Sequence, residues 1–524
     1  MSDYVWRPSP ERIAEANVTR LAQRHDIDSI TELRRRSVAD VQWYWDAAIV
    51  DLAIPFRSPY RQVLDISSGK ENPDWFIDGE FALVDACIAR WADSGRPAVI
   101  HEAEDGRIKE LSFADLARQV ANLAAGLTGI GVGEGDTVAL YMPMIPEAIV
   151  AFYAVASIGA VVVPLFSGFA APAIATRLND AGVSAVIVAD ATLRRGHRVD
   201  MAGEVARAIA AAPSVTSVIT VSNTGDTGKF DADDVAITTW TELLDGSRFH
   251  ESRSFPAMHT LMLGYTSGTT GKPKGAVHTQ AGFTVKVATE LAYSFGVAPG
   301  DRVCLVTDMG WVMGPLTTVG AHANGATLVL YEGSPDVPDP LRLWDVVERH
   351  SVTTLGLSPN LIRALRATPL EKIRDRDLSS VRTLGSTGEP WDPDSYDWLA
   401  AEVFGGRVPV INFSGGTEVG GSFLAPYPVE PIPSCSVGEP SLGMDVDVVA
   451  GNGQPVRGEI GELVCRTPWP SMTRSVWGDH DRYLQSYWST FDGMWCHGDF
   501  ALVNFEDGSW YILGRSDDVM NIGG

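Results

Sequence analysis

From Pro97 onward, short apolar runs alternate with longer segments whose apolar residues recur every three or four positions, the signature of strands alternating with helices. Ser112 with Asp115 forms a capping signature and predicts a helix over Phe113 to Leu127. Thr137 to Tyr141, Ala185 to Ala189 and Leu261 to Tyr265 read as strands, as do runs near Val303–Val306, Thr327–Tyr331, Thr353–Leu357, Val381–Leu384 and Val408–Phe413. Ala148 to Phe166 carries no charge, but Pro146 and Gly159 fit the start and end of a helix. That leaves about 12 residues and roughly 18 Å, short of the ~30 Å of a bilayer core. A buried helix followed by the strand Val161–Val163 is the expectation. Near the end, Asp507-Gly508 between apolar runs signals a hairpin over Ala501 to Leu513. Such alternation defines an α/β class, with parallel sheets covered by helices.

Residues 1–90 break this rhythm. They hold most of the early tryptophans (Trp6, Trp43, Trp45 and Trp75, with Trp91 just beyond) and the basic patch Arg34-Arg35-Arg36, and read as an N-terminal extension wrapped on the main domain. The expected division is 1–90 for the extension, 91–516 for the main domain and 517–524 for a hinge. At 524 residues the chain suits a large α/β domain with subdomains.

A formal charge of −25 repels nucleic acid and anionic membrane surfaces, so neither is an expected partner. Anionic small molecules then need local basic clusters. Lys272 with Lys274 is one, and Arg194, Arg195 and Arg198 are another. The five cysteines lack the paired spacing of a zinc site, and Met1-Ser2-Asp3-Tyr4 does not begin a secretory signal. A reduced, cytoplasmic setting is expected.

The densest chemistry lies in Tyr265-Thr266-Ser267-Gly268-Thr269-Thr270-Gly271-Lys272-Pro273-Lys274-Gly275. Glycines there let backbone N–H groups turn toward an anion while hydroxyls and ammoniums supply further donors, which makes a phosphate cradle. It is not a Walker loop, since Thr266 stands where that motif needs glycine and Pro273 where it needs Ser or Thr. Polar, glycine-rich loops also follow several strands: Asp308-Met309-Gly310-Trp311, Ser358-Pro359-Asn360, Ser386 to Pro390 and Ser414 to Glu418. Open α/β sheets bind ligands at such carboxyl ends. Rival constellations are missing: no G-x-S-x-G elbow surrounds Ser386, no H-E-x-x-H or paired C-x-x-C occurs, and Gly129-Ile130-Gly131 lies in the wrong order for a dinucleotide fingerprint.

Together with Gly385-Ser386-Thr387-Gly388-Glu389-Pro390-Trp391, Asn412-Phe413-Ser414-Gly415-Gly416-Thr417-Glu418, Trp495-Cys496-His497-Gly498-Asp499 and Gly514-Arg515-Ser516-Asp517-Asp518, the phosphate loop resembles the AMP-forming acyl-CoA synthetases. These adenylate-forming enzymes include acetyl-, acetoacetyl- and medium-chain acyl-CoA synthetases. All five motifs stand in the family's order. The resemblance implies a large adenylate-forming domain plus a smaller β subdomain, with the chain ending at Gly524 inside the motif that opens the family's C-terminal lid. An acid–thiol ligase using ATP, Mg²⁺ and CoA is therefore expected, its turnover impaired without the lid's lysine. Two other readings stay open: a nucleotide-binding protein without turnover, and an adenylation enzyme loading a carrier protein.

By the same resemblance, Thr266, Ser267, Gly268, Thr269, Thr270, Gly271, Lys272 and Lys274 hold the β- and γ-phosphates. Thr417 touches the α-phosphate and Glu418 ligates Mg²⁺, so Thr266, Lys274, Thr417 and Glu418 form the catalytic set. Gly388, Glu389 and Pro390 with Asn412, Phe413, Ser414, Gly415 and Gly416 frame adenine. Asp499 accepts the ribose hydroxyls, Arg515 faces the nucleotide, Asp517 marks the hinge and Arg194 meets a CoA phosphate. Trp311, Val312, Met313 and Gly415 line the acyl pocket. Acetate-specific members carry tryptophan at the position of Gly415, so an acid longer than acetate is expected, with a short oxo acid open through the likeness to acetoacetyl-CoA synthetases. His278, just past the loop, reads as a helix-start or packing residue.

Overall fold

The helix Phe113–Gly129 shows how closely local sequence sets the frame: the Ser112 hydroxyl accepts from the Asp115 amide at 3.0 Å while the Asp115 carboxylate accepts from the Ser112 amide, closing a capping box. The computed structural model describes residues 4–225, 230, 235–244, 250–266 and 273–517. Two seven-stranded sheets dominate it. The first runs, in spatial order, Ala236–Thr239, Ser217–Val221, Ala185–Ala189, Thr137–Tyr141, Val161–Pro164, Thr260–Thr266 and Lys274–Thr279. All its neighbours are parallel except the last pair, which is antiparallel and sets Thr266 opposite Lys274.

The second sheet runs Val410–Asn412, Thr383–Ser386, Thr354–Gly356, Arg302–Leu305, Thr327–Tyr331 and Pro97–Glu102, all parallel, closed by the antiparallel Ile108–Ser112. The expected strand positions hold to within two or three residues. The helices Pro146–Ser157, Gln280–Thr289 and Met313–Ala323 are buried along nearly their whole length, and they share one core with Val138 and Leu140 of the first sheet and Val99 and Leu328 of the second. Gly320 lets Met313–Ala323 and Gln280–Thr289 approach closely, since a Cβ there would lie 2.9 Å from the Val287 carbonyl oxygen. Among the described residues no helix is long and apolar enough to cross a membrane.

A four-stranded antiparallel sheet, Val446–Val449, Ile460–Cys465, Trp495–Val503 and Trp510–Arg515, forms the smaller β unit. Its last two strands pair Val503 with Trp510 across the expected Asp507-Gly508 turn.

The N-terminal helices Pro10–Glu15, Asn17–Arg24, Ile30–Ala39 and Val41–Asp51 pack against this frame. Of the basic patch, Arg34 is buried, paired with Glu430 at 2.8 Å and Glu439 at 3.0 Å, while Arg35 pairs with Glu32 and Arg36 lies over the Trp43 ring. Arg34 therefore docks the extension on the main domain, while Arg35 stays exposed. Gly443 sits under Tyr44, leaving 2.6 Å for a Cβ.

Candidate active site

The carboxyl ends of six strands, among them Thr327–Tyr331 with Gly333 and Pro335 beyond it, point their loops at one cavity of about 730 Å³. Thr307 to Met313, Leu357 to Asn360, Thr387 to Glu389 and Phe413 to Thr417 come from the second sheet, and Phe166 from the first. The two sheets are tied there by Asp308, whose carboxylate accepts from Gly310 N at 2.8 Å and from the Ser167 amide and hydroxyl. Burial pushes the Asp308 carboxyl up, and the Ser167 hydrogen bond partly offsets this. Gly310 is required by closeness: a Cβ there would stand 2.0 Å from the Phe166 amide nitrogen.

The structure gathers Thr266, Lys274, Thr417 and Glu418 at one end of the first sheet. Gly264 makes room for the acidic turn, since a Cβ at that position would lie 2.5 Å from Thr417 Cγ2. Glu418 Oε1 accepts from the Tyr487 hydroxyl at 2.6 Å and from Thr266 Oγ1 at 3.3 Å, with Lys274 Nζ 4.0 Å away. Burial alone would raise the Glu418 carboxyl, but Tyr487, Lys274 and His497 outweigh it and hold it below its ordinary value. An ionised carboxylate beside a hydroxyl is a hard-oxygen donor set of the kind Mg²⁺ takes. Among the described residues there is no cluster of three or more His, Cys, Asp or Glu side chains that could hold a metal ion. Lys274 is buried, and burial pushes its amine down while Glu418 pulls it back.

His278 does more than pack. From the strand Lys274–Thr279 its ring places Nε2 2.7 Å from the Thr417 carbonyl and Nδ1 3.2 Å from that of Ser471. Burial holds this imidazole neutral, its pKa down at about 4. Ser471 and Trp469 both donate to the Val419 carbonyl, and Thr473 N donates to that of Glu418. The Pro468–Met472 segment thus buttresses the acidic turn.

Asp499 is buried on the strand Trp495–Val503, 3.4 Å from Arg515 Nη1 and 3.6 Å from His497 Nε2. Against Gly416, His497 leaves 2.7 Å for a Cβ. Asp517 clamps Arg515 with two hydrogen bonds, at 2.8 and 2.6 Å, which hold that guanidinium's charge in place. Asp499, Arg515 and the acidic turn therefore lie side by side. Ser267 to Lys272 lie outside the described residues.

In the turn after the strand Thr383–Ser386, Gly388 has φ +102° and Glu389 is paired with Arg363 and accepts from Asn360 N at 2.8 Å. Pro390 is exposed. The Asn412 carboxamide donates to the carbonyls of Cys435 and Ser436 at 3.1 and 3.2 Å, fastening the strand that carries Phe413 and Ser414. Trp311 is 55% exposed at the cavity mouth, tilted against Phe166, with Val312 and Met313 beside it. Gly415 lines the cavity, but a Cβ there would stand 1.8 Å from the Gly421 carbonyl oxygen. Arg194 reaches the cavity from the hairpin Ala191–Arg194/His197–Asp200, whose turn is held by Glu104 and by an Arg195–Asp336 pair. Tyr487 and Thr473 escaped the sequence reading. They lie on segments with no glycine-rich motif, and only the fold brings them to Glu418.

A cavity at the carboxyl ends of parallel strands, with a phosphate-type hairpin and a guarded carboxylate, defines a nucleotide-using α/β enzyme. The AMP-binding enzyme profile matches residues 88–477, and the acetyl-coenzyme A synthetase N-terminus profile matches residues 30–87. The chain is 37% identical to acetyl-coenzyme A synthetase of Chlorobaculum tepidum over 95% of its own length and 76% of that protein's. It is 39% identical to that of Streptomyces avermitilis, over 99% of this chain and 78% of the relative. The structure of acetoacetyl-CoA synthetase from Streptomyces lividans superposes with a TM-score of 0.92 at 31% identity, covering 99% of this chain and 81% of that one. The chain belongs to the AMP-binding enzyme family, in its acyl-CoA synthetase branch of AMP-forming acid–thiol ligases.

Proposed function

We propose that this enzyme activates a short carboxylic acid, acetate or acetoacetate, with ATP and passes the acyl group to CoA. The observation that carries the reading is the convergence of Thr266, Lys274, Thr417 and Glu418 beside a cavity that also receives Arg194 and the Trp311 loop. A carboxylate oxygen attacks the α-phosphorus as the bond to pyrophosphate breaks; the CoA thiolate then attacks the acyl carbon and AMP leaves. Charge accumulates on phosphate oxygens, so fixed donors matter more than a covalent group. Thr266 and Lys274, with the loop between them, hold the β- and γ-phosphates, and Thr417 meets the α-phosphate. Asp499 holds the ribose, while Gly388 to Pro390 and the Asn412–Gly416 strand end frame adenine. Arg515 and Asp517 flank that pocket, and Arg194 faces a phosphate of CoA. Glu418 would hold Mg²⁺, which when bound would supply positive charge at the phosphates.

The acid rests on two supports. The relatives named acetyl-coenzyme A synthetases favour acetate, and the acetoacetyl-CoA synthetase neighbour favours a four-carbon oxo acid. The first runs against the expected acid longer than acetate, and the second keeps open only the short oxo acid. The argument from Gly415 also weakens, because the Gly421 carbonyl already fills the space a side chain there would take. We place the enzyme in the cytoplasm, a setting in keeping with five free cysteines. The test is CoA-dependent AMP release with a panel of acids. Highest kcat/KM for acetate or acetoacetate supports the reading; preference for hexanoate refutes the short acid, and transfer to a carrier protein but not to CoA refutes the acceptor.

A further inference from the structure

Tyr487 ends the helix His480–Tyr487 and is only 4% exposed. Lys274 Nζ donates to its hydroxyl at 3.0 Å, and the hydroxyl donates to Glu418 Oε1 at 2.6 Å. The ammonium and the carboxylate stay 4.0 Å apart. Both hydroxyls that reach Glu418, those of Tyr487 and Thr266, meet its Oε1. The ring cannot drift, because it stacks on Trp495 with centroids 4.2 Å apart and planes at 2°. Trp488 and Tyr483 anchor the same helix, Tyr483 donating to the Glu71 carbonyl at 2.8 Å.

We propose that Tyr487 is a positioning residue for metal–nucleotide binding: its hydroxyl is a spacer that keeps Lys274 and Glu418 from closing into a direct ion pair. Attraction between unlike charges steepens in a site shielded from water. Without the spacer the two groups contract onto each other, and Glu418 must leave Lys274 before it can meet a cation. With the spacer, both charges remain neutralised at a distance yet directed outward. The inference rests on the reading of Glu418 as the Mg²⁺ ligand.

Tyr487→Phe keeps the stack on Trp495 and removes only the hydroxyl. ATP affinity is measured by calorimetry on the full chain, once with MgCl₂ and once with EDTA, for the wild type, Y487F and E418Q. The ratio of the two affinities in Y487F should fall about tenfold or more, the range typical when a metal ligand loses its hydrogen-bond partner, with a smaller loss in EDTA from the drawn-in Lys274. Equal losses with and without Mg²⁺, or an unchanged ratio, overturn the inference. E418Q separates the two claims. If it loses the Mg²⁺ dependence while Y487F keeps it, the spacer role alone falls; if E418Q keeps it, the metal role of Glu418 falls and takes the spacer with it. Should Y487F melt early, Trp495→Phe gives the baseline for a loosened stack with the hydroxyl retained, and it must leave the ratio intact.

Discussion

Substituting Gly415 tests whether the acyl pocket is shaped by a missing side chain or by backbone. A Cβ at 415 would stand 1.8 Å from the Gly421 carbonyl oxygen and 2.9 Å from Ser422 Cα, against the 3.4 Å at which ordinary contact begins. The strands Ser414–Gly416 and Gly421–Ala425 would have to separate. Gly421 and Ser422 have little freedom to yield. The Ser422 hydroxyl donates to Glu290 at 2.7 Å, Glu290 is paired with Lys286 at 2.7 Å, and Lys286 donates to the Ser422 carbonyl at 2.9 Å. All three side chains are buried. Overpacking of this kind costs ~1–3 kcal/mol, which at ~1.4 kcal/mol per tenfold gives a loss of roughly five- to 140-fold if it falls on the reacting geometry. Gly415→Ala should therefore lower kcat/KM for acetate, acetoacetate, butyrate and hexanoate together, with their ratios unchanged. Gly415→Trp should do so more severely. Specificity constants for the four acids in both variants decide it. A tryptophan variant that keeps its activity on acetate and loses it only on longer acids would refute the backbone argument and restore position 415 as a side-chain gate.

Glu418→Gln keeps the shape and removes the charge; loss of a charge-assisted contact at ~1.5–3 kcal/mol should cut Mg²⁺-dependent pyrophosphate exchange at least tenfold, and unchanged exchange at saturating Mg²⁺ would remove Glu418 from the site. His278→Phe removes one of the two donors to the Thr417 carbonyl and leaves the Gly420 amide at 3.2 Å, so exchange at pH 7 should fall severalfold, from the ~0.5–1.5 kcal/mol of one hydrogen bond. Because burial holds the imidazole at about 4, the wild-type rate should show no inflection near pH 6.5 that vanishes in this variant. Glu102 offers a stability test: burial raises its carboxyl, but His350 and Arg349 overcome this and hold it at about 2. Its depressed pKa stabilises the fold above the unfolded value of ~4.3 and loses that contribution as pH falls toward about 2. Glu102→Gln should lower the thermal midpoint at pH 7, with the gap from the wild type narrowing below pH ~4; a gap that widens in acid would contradict the assignment.

Where local sequence and tertiary demand agree, the chain was readable. The helix from Phe113 follows from Ser112 and Asp115, the strand Thr137–Tyr141 from its apolar run, and the last hairpin from Asp507-Gly508. The glycine-rich loops could be placed at strand ends because their composition differs from everything around them. Tyr487 carried no such mark, since a tyrosine ending a polar helix reads the same whether it faces solvent or Glu418. Gly415 misled for a related reason. A glycine in sequence says that a side chain is missing, but only the fold shows that Gly421 has taken its place. Arg34 reads as surface charge until Glu430 and Glu439, nearly four hundred positions away, are brought beside it.

The central claim is that this cavity joins a short acid to the α-phosphate of ATP. Incorporation of labelled pyrophosphate into ATP measures that step without CoA, with acetate, acetoacetate and hexanoate each supplied alone at fixed Mg²⁺. Exchange that requires both acid and Mg²⁺, is fastest with acetate or acetoacetate and collapses in Glu418→Gln is the result the account predicts. Tight Mg²⁺-dependent ATP binding with no acid-dependent exchange for any of the three would contradict it, and would leave a nucleotide-binding protein in place of an acid-activating enzyme.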